Sequence, residues 1–358
     1  LFRSHRFEKE FENLLKVRHA YAVNSCTAAL HLALEAMGVG PGDKVLVPTM
    51  TFTATAEVVR YLGADPLFLD VEYASCLVTD EILVRALTRY PDAKVFMPVH
   101  YGGQAVKISS ADGTGLFDIC RDRGVRMVED AAHAFPAKCN DRMVGEIGDV
   151  ACFSFYANKT ITTGEGGMLT TNDDQIAERV KIMRLHGINR DAWDRYTSNK
   201  VSWEYDVVAP GFKYNMPDTA AAVGLAQLER AAFLRKERER CACFYFDRLR
   251  DLECIDLPLI HVPMADHAWH IFHLILKENA PVSRNKFIEI MADKGISTSV
   301  HYKPLHRMSY YREHYGLNPE DYPNAERIWK GCVSLPIYPS LSDDELDYIC
   351  TTICTILK

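Results

Sequence analysis

The chain has 358 residues, of which 48% are hydrophobic and 25% are charged, and its formal net charge is −7. These values are typical of a soluble globular protein with room for one large and one smaller domain, and the acidic balance argues against a nucleic-acid-binding surface. Eleven cysteines without a CxxC pair indicate reduced thiols in a cytoplasmic protein, and no apolar run approaches the ~18 residues of a membrane span.

The first two thirds of the chain alternate between short apolar runs and amphipathic stretches. The runs predict strands and the stretches predict helices, with strands at 44–48, 66–70, 94–99 and 125–130 and helices at 27–38 and 80–90. This order predicts an α/β fold with βαβ units and a largely parallel sheet covered by helices on both faces. Ligands of such sheets bind at the carboxyl ends of the strands.

A long helical pattern over 219–252 follows the predicted sheet. Neither Gly nor Pro interrupts it after Gly224, so we predict that it links two domains. The large α/β domain would comprise 1–238 and the small α+β domain would comprise 239–358.

Within the predicted small domain, the apolar run 267–276 predicts a strand. Ser283 is expected to cap a helix that stops at Gly295. Ser342 and Glu345 have the spacing of a capping box before the last helical stretch.

Lys159 lies between an aromatic run at 153–156 and a glycine-rich turn at 164–167. A neutral lysine amine forms Schiff bases with carbonyl compounds, and burial lowers the lysine pKa toward that use. An isolated lysine is more often a solvated loop residue. Here the glycines permit tight turns, so we predict a constrained connection that points the amine into a cavity.

Asp130 ends the predicted strand 125–130 and therefore lies at the ligand edge of the sheet. A buried carboxylate needs a cationic partner, and the protonated nitrogen of a pyridine ring is one. The alternative is that Asp130 caps a helix that begins with the following residues. Glu129 is expected to point to the opposite face of the sheet.

Two further segments carry weaker signals. Ser25 and Thr27 begin a predicted helix whose first N–H groups form an anion site, although ordinary capping explains these residues equally well. Phe52 follows the predicted strand 44–48, where an aromatic ring could stack on a planar cofactor. A phenylalanine of the hydrophobic core is the commoner case.

Taken in order, these motifs resemble the DegT/DnrJ/StrS family of sugar-nucleotide aminotransferases, which use pyridoxal 5′-phosphate (PLP). The resemblance covers essentially the whole chain and rests on the hydroxyl residues near 25–27 and on TFTAT at 51–55, EDAAH at 129–133, FSFYANK at 153–159 and GEGG at 164–167. It implies the type I fold of PLP-dependent aminotransferases, with a large domain and a smaller C-terminal one.

The resemblance also implies roles for single residues. Lys159 would form the Schiff base with PLP, and Asp130 would pair with the protonated pyridine nitrogen. Phe52 would stack on the pyridine ring, and His133 would lie near the ring hydroxyl.

Five residues correspond to the family's phosphate-binding positions. Ser154, Cys26 and Thr27 would bind the phosphate within one subunit, with Cys26 standing where the family usually has glycine. Lys213 occupies a position where many members carry an asparagine that reaches the phosphate of the neighbouring subunit, and Asn215 is a second candidate for that role. A homodimer with shared active sites is therefore expected.

The later half of the chain is similar to the family branch that makes UDP-4-amino-4-deoxy-L-arabinose. The similar segments are 185–196, 210–228, 267–272, 295–306 and 310–317. They imply amination at C4 of a nucleotide-linked 4-keto sugar in lipopolysaccharide or other glycan biosynthesis. The expected amino donor is L-glutamate, which leaves as 2-oxoglutarate.

The nucleotide-sugar substrate would be held by polar and aromatic side chains of the later loops. The candidates are Arg184, His186, His301, Tyr302 and His306. Surface loops without a binding role are an equally good interpretation of these positions.

Three alternatives to an aminotransferase can be weighed on the sequence. A PLP-dependent sugar dehydratase of the same fold carries histidine at the lysine position, which Lys159 argues against. A non-catalytic PLP-binding regulatory or sensor protein needs no proton shuttle, so the pair of Lys159 and Asp130 argues against it as well. A nicotinamide enzyme would show G-x-G-x-x-G after its first strand, and the chain has no such motif there.

Overall fold

The computed structural model describes residues 2–109, 114–189 and 205–358. None of the helices in these ranges combines the length and the hydrophobicity that crossing a bilayer requires.

Seven strands form one large sheet, and two very short strands form a hairpin beside it. In chain order they are β1 (His19–Val23), β2 (Lys44–Pro48), β3 (Asp65–Leu69), β4 (Val95–Phe96), β5 (Arg126–Asp130), the hairpin strands β6 (Lys138–Cys139) and β7 (Arg142–Met143), β8 (Val150–Ser154) and β9 (Gly167–Thr171). The sheet order is β1-β9-β8-β5-β4-β2-β3. Only β9 runs against its neighbours, so the predicted, largely parallel sheet is confirmed.

The helices lie between and after these strands. They are α1 (Arg3–Leu15), α2 (Cys26–Ala36), α3 (Ala54–Tyr61), α4 (Asp80–Arg89), α5 (Leu116–Asp122), α6 (Asp174–Met183), α7 (Asp218–Leu228), α8 (Ala231–Leu249), α9 (Arg284–Asp293), α10 (Ser309–Tyr315), α11 (Pro323–Gly331) and α12 (Asp343–Leu357). The predicted cap at Ser283 and the capping box of Ser342 with Glu345 are both confirmed, since each serine accepts a hydrogen bond from a backbone N–H of the first turn.

Three sequence predictions differ from the structure in extent, and the first is the strand predicted over 94–99, which is only Val95–Phe96. The helical pattern 219–252 is two helices, because the chain bends at Glu229 and Arg230 between α7 and α8. The predicted strand 267–276 is shorter, since only β10 (Ile255–Asp256), β11 (Phe272–Leu276) and β12 (Cys332–Leu335) pair in the second, antiparallel sheet.

Buried side chains form two hydrophobic clusters. The first fills the space between the large sheet and its helices, and the second lies between α8, α9, α12 and the three-stranded sheet. Residues from 305 to 328, including Leu305, Tyr311 and Ile328, pack in the first cluster although they lie between β11 and β12 of the second sheet in the chain. The division into 1–238 and 239–358 stays a prediction.

Candidate active site

A cavity of about 360 Å³ lies where β2, β5 and β8 end and α2 begins, and it is called the main cavity below. Parallel strands place their carboxyl ends at one edge of the sheet, which explains why distant motifs meet here. The predicted site residues that line it are Cys26, Thr27, Phe52, Asp130, His133, Ser154, Lys159, His301 and Tyr302.

Lys159 lies on the turn that follows β8 and contributes its side chain to the cavity wall. The turn is held by hydrogen bonds from the Lys159 N–H to the Tyr156 carbonyl (3.0 Å) and from the Thr163 N–H to the Phe155 carbonyl (2.9 Å). The Lys159 Nζ lies 3.3 Å from the His270 Nε2. Burial lowers the pKa of Lys159 to about 8, so a substantial fraction of the amine is neutral near physiological pH. Lys159 is thus a cavity residue and not a solvated loop lysine.

Asp130 ends β5 and is buried in the cavity floor. Its Oδ2 accepts a hydrogen bond from the Thr55 hydroxyl (2.7 Å) and its Oδ1 accepts one from the Ala132 N–H (3.1 Å). Burial raises the pKa of Asp130, whereas these hydrogen bonds and the charge of Lys159 oppose the rise. The residues after Asp130 form turns and no helix, so the helix-cap interpretation is wrong.

Glu129, the neighbouring carboxylate, points away from the main cavity, as the strand pleat predicts. It is fully buried, with His100 Nε2 at 2.9 Å and the Gly148 N–H at 3.1 Å. The two adjacent acids therefore occupy separate environments, and only Asp130 is available to a ligand in the main cavity.

The start of α2 forms another part of the cavity wall. The Ser25 hydroxyl caps the helix by accepting a hydrogen bond from the Ala28 N–H (3.1 Å). Thr27 lies in the first turn, where backbone N–H groups have no partner within the helix and favour an anion. Cys26 is the first residue of α2 and has no positive φ angle, so cysteine fits this position without strain.

Gly167 of β9 packs directly against the beginning of α2. A Cβ at this position would lie 2.5 Å from the Ser25 carbonyl carbon and 2.7 Å from the Cys26 N. The glycine therefore allows the close approach of strand and helix that fixes the helix N-terminus beside the cavity.

Phe52 follows β2 and is 57% exposed. Its ring centroid lies 6.0 Å from that of Tyr302 across the main cavity. The core-phenylalanine interpretation is therefore wrong, and the ring is available to contact a planar ligand.

His133 connects the two sides of the cavity. Its Nδ1 accepts a hydrogen bond from the Gly102 N–H (3.3 Å), and its Nε2 lies 3.0 Å from the Tyr302 hydroxyl. Burial holds the pKa of His133 well below its ordinary value, so the ring is neutral. Because the backbone N–H occupies Nδ1, the ring proton lies on Nε2 and is donated to Tyr302, whose own proton can be donated elsewhere.

His301 lies beside Tyr302 at the cavity wall. Its Nδ1 lies 2.8 Å from the Ser334 hydroxyl, and its carbonyl oxygen accepts a hydrogen bond from Tyr101. Burial lowers the pKa of His301 to about 4, so this ring is also neutral at physiological pH.

The structure does not bring His306, His186 or Arg184 to the main cavity. His306 is fully buried, with its ring nitrogens at 2.8 Å from Thr49 Oγ1 and 2.7 Å from Glu326 Oε1. These contacts give His306 a structural function, because they join the segment after Pro304 to the end of β2.

His186 is exposed and has a positive φ angle of 60°, and Arg184 forms a buried ion pair with Glu8. Both lie at the C-terminal end of α6, away from the lining of the main cavity. The similar segment 185–196 extends beyond the described residues at its end, from residue 190 onward.

Lys213 and Asn215 also lie outside the main cavity of their own chain. Asn215 pairs with Val23 at the end of β1, and the Lys213 carbonyl accepts a hydrogen bond from the Asn24 side chain (3.4 Å). Lys213 is exposed, and its Nζ donates to the Asn215 side chain. Both residues are thus close to the chain segment that leads into α2.

Several residues of the site were not predicted from the sequence, among them Thr55 and His270. Thr55 belongs to the TFTAT motif but was given no role, although its hydroxyl binds Asp130. His270 lies in the segment predicted as a strand, yet its Nε2 contacts the Lys159 amine. The motifs that contain Thr55 and His270 were recognised in the sequence. A motif alone does not show which of its side chains faces the ligand.

The model of the DegT/DnrJ/EryC1/StrS aminotransferase family matches residues 3–354. The spore coat polysaccharide biosynthesis protein SpsC of Bacillus subtilis is 42% identical over 355 residues, which cover 99% of this chain and 89% of that protein.

Two solved structures are also similar. The Spr1654 protein of Streptococcus pneumoniae, in its PMP form, superimposes with a TM-score of 0.87 and 31% identity over 99% of this chain and 91% of that one. PseC of Helicobacter pylori, an aminotransferase involved in the biosynthesis of pseudoaminic acid, has a TM-score of 0.89 and 25% identity over the same shares.

Proposed function

Because the chain belongs to the DegT/DnrJ/EryC1/StrS aminotransferase family, whose members are PLP-dependent sugar aminotransferases, we propose that it transfers an amino group from L-glutamate to C4 of a nucleotide-linked 4-keto sugar. The observation that carries this proposal is the burial of Lys159 and Asp130 in one cavity. A reactive amine and a carboxylate are the two protein groups that this chemistry requires.

The residues of the main cavity fit PLP part by part. The Lys159 amine suits the cofactor's aldehyde, and the Asp130 carboxylate suits its ring nitrogen. Phe52 offers an exposed ring for the pyridine face. The hydroxyls of Thr27 and Ser154, together with the N-terminus of α2, form a cradle for a phosphate.

PLP supplies an electron sink for the electron pair released when a carbon–hydrogen bond beside the nitrogen breaks. The chain's own contribution is to place and move protons. Asp130 holds a proton on the ring nitrogen, and Lys159 carries a proton between the reacting carbon atoms. A lysine pKa of about 8 lets the same amine accept and release that proton near neutral pH.

Two further side chains of the main cavity, Tyr302 and His301, are consistent with these roles of Asp130 and Lys159. Tyr302 and His301 line the main cavity together with Lys159, and the Tyr302 ring centroid lies 6.0 Å from that of Phe52. In our proposal they also contact the sugar, which the lysine must approach at C4. The reaction proceeds in two halves: the donor gives up its amino group and departs as the keto acid before the sugar enters.

The sugar is proposed to carry a nucleotide and to serve the synthesis of a surface glycan. SpsC is described by its part in spore coat polysaccharide biosynthesis and PseC by its part in pseudoaminic acid biosynthesis. The description of SpsC supports a product that serves polysaccharide synthesis, and the description of PseC supports an aminotransferase step in a biosynthetic route. We further propose that the enzyme acts in the cytoplasm.

The proposed enzyme is a homodimer with shared active sites. Lys213 and Asn215 lie outside their own main cavity, and Lys213 is exposed. An exposed cation beside the start of α2 would suit a phosphate held by a second subunit. Sedimentation of the PLP-loaded protein as a dimer, with weaker PLP binding in Lys213→Ala, would support this arrangement.

Replacement of Lys159 by Ala tests the proposed function. The wild-type protein loaded with PLP is expected to lose its absorbance band when L-glutamate is added and to aminate members of a panel of 4-keto sugar nucleotides, detected by mass spectrometry. Lys159→Ala is expected to show neither response, because the amine is the only proton carrier proposed for the reaction.

Lys294→Ala is the matched control, since Lys294 is an exposed residue at the end of α9. It should behave as wild type in both assays. Normal turnover in Lys159→Ala would remove the lysine from the reaction. A wild-type protein that binds PLP but does not respond to any amino acid would instead be a binding protein.

A further inference from the structure

Two buried threonine hydroxyls lead to Asp130, and together they are called the hydroxyl chain below. Thr51 follows β2 and Thr55 lies in the first turn of α3. Thr55 Oγ1 is 2.7 Å from Asp130 Oδ2, and Thr51 Oγ1 is 2.7 Å from Thr55 Oγ1. Thr51 is 2% exposed and Thr55 is fully buried, and neither residue lines the main cavity. The hydroxyl chain therefore reaches Asp130 from the protein interior.

The direction of the hydrogen bonds in the hydroxyl chain follows from the number of protons. Thr55 has one hydroxyl proton, and its acceptors include Asp130 Oδ2 at 2.7 Å and the Phe52 carbonyl at 3.2 Å. A charged acceptor at the shorter distance forms the stronger bond, so the proton points to Asp130. The Thr51 hydroxyl then donates to Thr55. Because hydrogen bonds aligned in one direction strengthen each other, Thr51 supports the Asp130 charge without touching it.

The backbone of Asp130 is fixed independently of its side chain. The Asp130 N–H donates to the Pro98 carbonyl (2.9 Å), and the Asp130 carbonyl accepts from the His100 N–H (3.1 Å). The carboxylate could still rotate about its side-chain bonds. Hydrogen bonds to both of its oxygens, from the Thr55 hydroxyl and from the Ala132 N–H, hold it in one orientation.

The titratable side chains that face Asp130 in the described ranges come from several elements. They include Cys26 of α2, His100 after β4, Cys152 of β8, Lys159 after β8 and Tyr302. Burial raises the pKa of both thiols and of the phenol, so these groups are neutral near physiological pH. The His100 ring lies 2.9 Å from the carboxylate of Glu129.

Lys159 is the facing cation that can lose its charge near neutral pH, because burial lowers its pKa to about 8. Burial raises the pKa of Asp130, and the Thr55 hydroxyl opposes this rise more than Lys159 does. A hydroxyl does not titrate in this range. The hydroxyl chain thus stabilises the carboxylate whether or not Lys159 carries its proton.

We propose that Thr55, supported by Thr51, is a positioning residue that keeps Asp130 ionised and in one orientation. This inference rests on the proposed function, in which Asp130 holds a proton on the ring nitrogen of PLP. An ionised carboxylate stabilises that positive charge, whereas a neutral carboxylic acid does not. Thr51 and Thr55 would therefore act on the reaction through Asp130, without contacting the cofactor or the substrate.

The first test measures the charge of Asp130 in the PLP-free protein. NMR of isotope-labelled aspartate carboxyl groups follows each one through a pH titration, and the Asp130 signal is the one that Asp130→Asn lacks. Thr55→Val removes the hydroxyl but keeps the branched shape. The Asp130 midpoint should rise by about 1 to 2 pH units, as expected for losing one hydrogen bond to a charged group. Thr51→Val should raise it by only about 0.3 pH units, since its effect is indirect.

Two controls separate this effect from a general loss of stability. Thr55→Ser keeps the hydroxyl and should keep the wild-type midpoint. Thr171→Val removes another buried hydroxyl of the large sheet, which donates to the Asp149 carbonyl (2.7 Å) outside the main cavity. It should lower the Tm without moving the Asp130 midpoint. An Asp130 midpoint that stays at its wild-type value in Thr55→Val would overturn the proposal, whatever the Tm of that variant.

The second test measures nitrogen transfer from L-glutamate to the PLP-loaded enzyme. At saturating glutamate, Thr55→Val should lose the PLP absorbance band about 10-fold more slowly than the wild type, with little change in the glutamate concentration that gives half the maximal rate. Thr55→Ser should restore the rate. A raised midpoint together with a wild-type rate would show that the hydroxyl chain has no part in the reaction and would also overturn the proposal.

The two tests separate this inference from the proposed function. If the PLP-loaded wild type responds to no amino acid, the proposed function fails, while the NMR titration still decides whether the hydroxyl chain keeps Asp130 ionised. If the wild type accepts nitrogen from glutamate but Asp130 titrates alike in the wild type and in Thr55→Val, only the inference about the hydroxyl chain fails.

Discussion

The two walls around Lys159 differ in how completely their polar groups are paired. The sheet wall consists of the strand ends and the start of α2, and its carboxylate at Asp130 already accepts two hydrogen bonds. The C-terminal wall includes His270, which contacts Lys159 and whose Nδ1 has no partner among the residues that the structure describes. The first wall therefore suits a group that stays in a fixed orientation, and the second suits ligands that arrive and leave.

This difference follows from the cost of unpaired buried groups. An orphaned donor is unfavourable in the empty protein and becomes favourable when a ligand accepts its hydrogen bond. An unpaired donor on the C-terminal wall would therefore add binding energy for a ligand that accepts its hydrogen bond. The paired groups of the sheet wall hold the Asp130 side chain in one orientation.

Among substitutions in the sheet wall, Asp130→Asn is expected to reduce kcat the most. Asparagine keeps the size of the side chain and one accepting oxygen, but its NH2 group donates, and it cannot hold the ring nitrogen of PLP in its protonated form. We expect PLP to remain bound and kcat to fall about 100-fold or more. Stopped-flow absorbance with glutamate would measure the proton-transfer step.

Glu129→Gln is the matched control for that change. It neutralises the neighbouring acid of the same strand, which faces His100 outside the main cavity. Its effect should fall on the Tm and leave the proton-transfer rate within a few-fold of wild type. Equal losses of rate in both variants would mean that general stability, and not the ring nitrogen, explains Asp130.

The rate at which Lys159 reacts with an aldehyde should depend on pH, and this dependence tests the environment of the amine between the two walls. Only the neutral amine attacks a carbonyl, and burial lowers the lysine pKa to about 8. In the PLP-free protein, capture of a neutral aromatic aldehyde should thus rise about tenfold per pH unit below pH 8 and level off above it. Reductive trapping followed by peptide mass spectrometry at residue 159 would give these rates.

The direction of the shift can be tested as well. The Asp130 carboxylate favours the ammonium form of Lys159, so Asp130→Asn should move the inflection to lower pH. A rate that continues to rise beyond pH 9 would show that Lys159 is a solvated lysine, since its ordinary pKa is 10.5.

The sequence predicted the sheet wall well because its residues come in short contiguous motifs. Asp130 ends a strand of the large sheet, Phe52 and Lys159 follow strands of the same sheet, and parallel strands bring their carboxyl ends to one edge. Once the alternation of strands and helices was recognised, local patterns were sufficient to place these residues together.

The positions of the residues in the C-terminal wall depend on tertiary packing, which cannot be predicted from a local sequence pattern. The segment 267–276 reads as one strand, but the Ala268 and Ile271 N–H groups bind the carbonyls of Gly103 and Gly102 at the large sheet. That connection places His270 beside Lys159. The failure of the His306 prediction has the same origin, because its burial against Thr49 and Glu326 depends on a chain segment that returns to β2.

The smallest expected loss of activity comes from removing the hydrogen bond between His133 and Tyr302, which joins the two walls. Tyr302→Phe removes the hydroxyl that accepts a hydrogen bond from His133 but keeps the ring that faces Phe52. One neutral hydrogen bond contributes about 0.5–1.5 kcal/mol net, so turnover and PLP affinity should fall by about 3- to 10-fold. Tyr302→Ala, which also removes the ring, should lose more. If Tyr302→Phe were as inactive as Asp130→Asn, the tyrosine proton would be required in the reaction itself, and the C-terminal wall would contribute chemistry as well as binding.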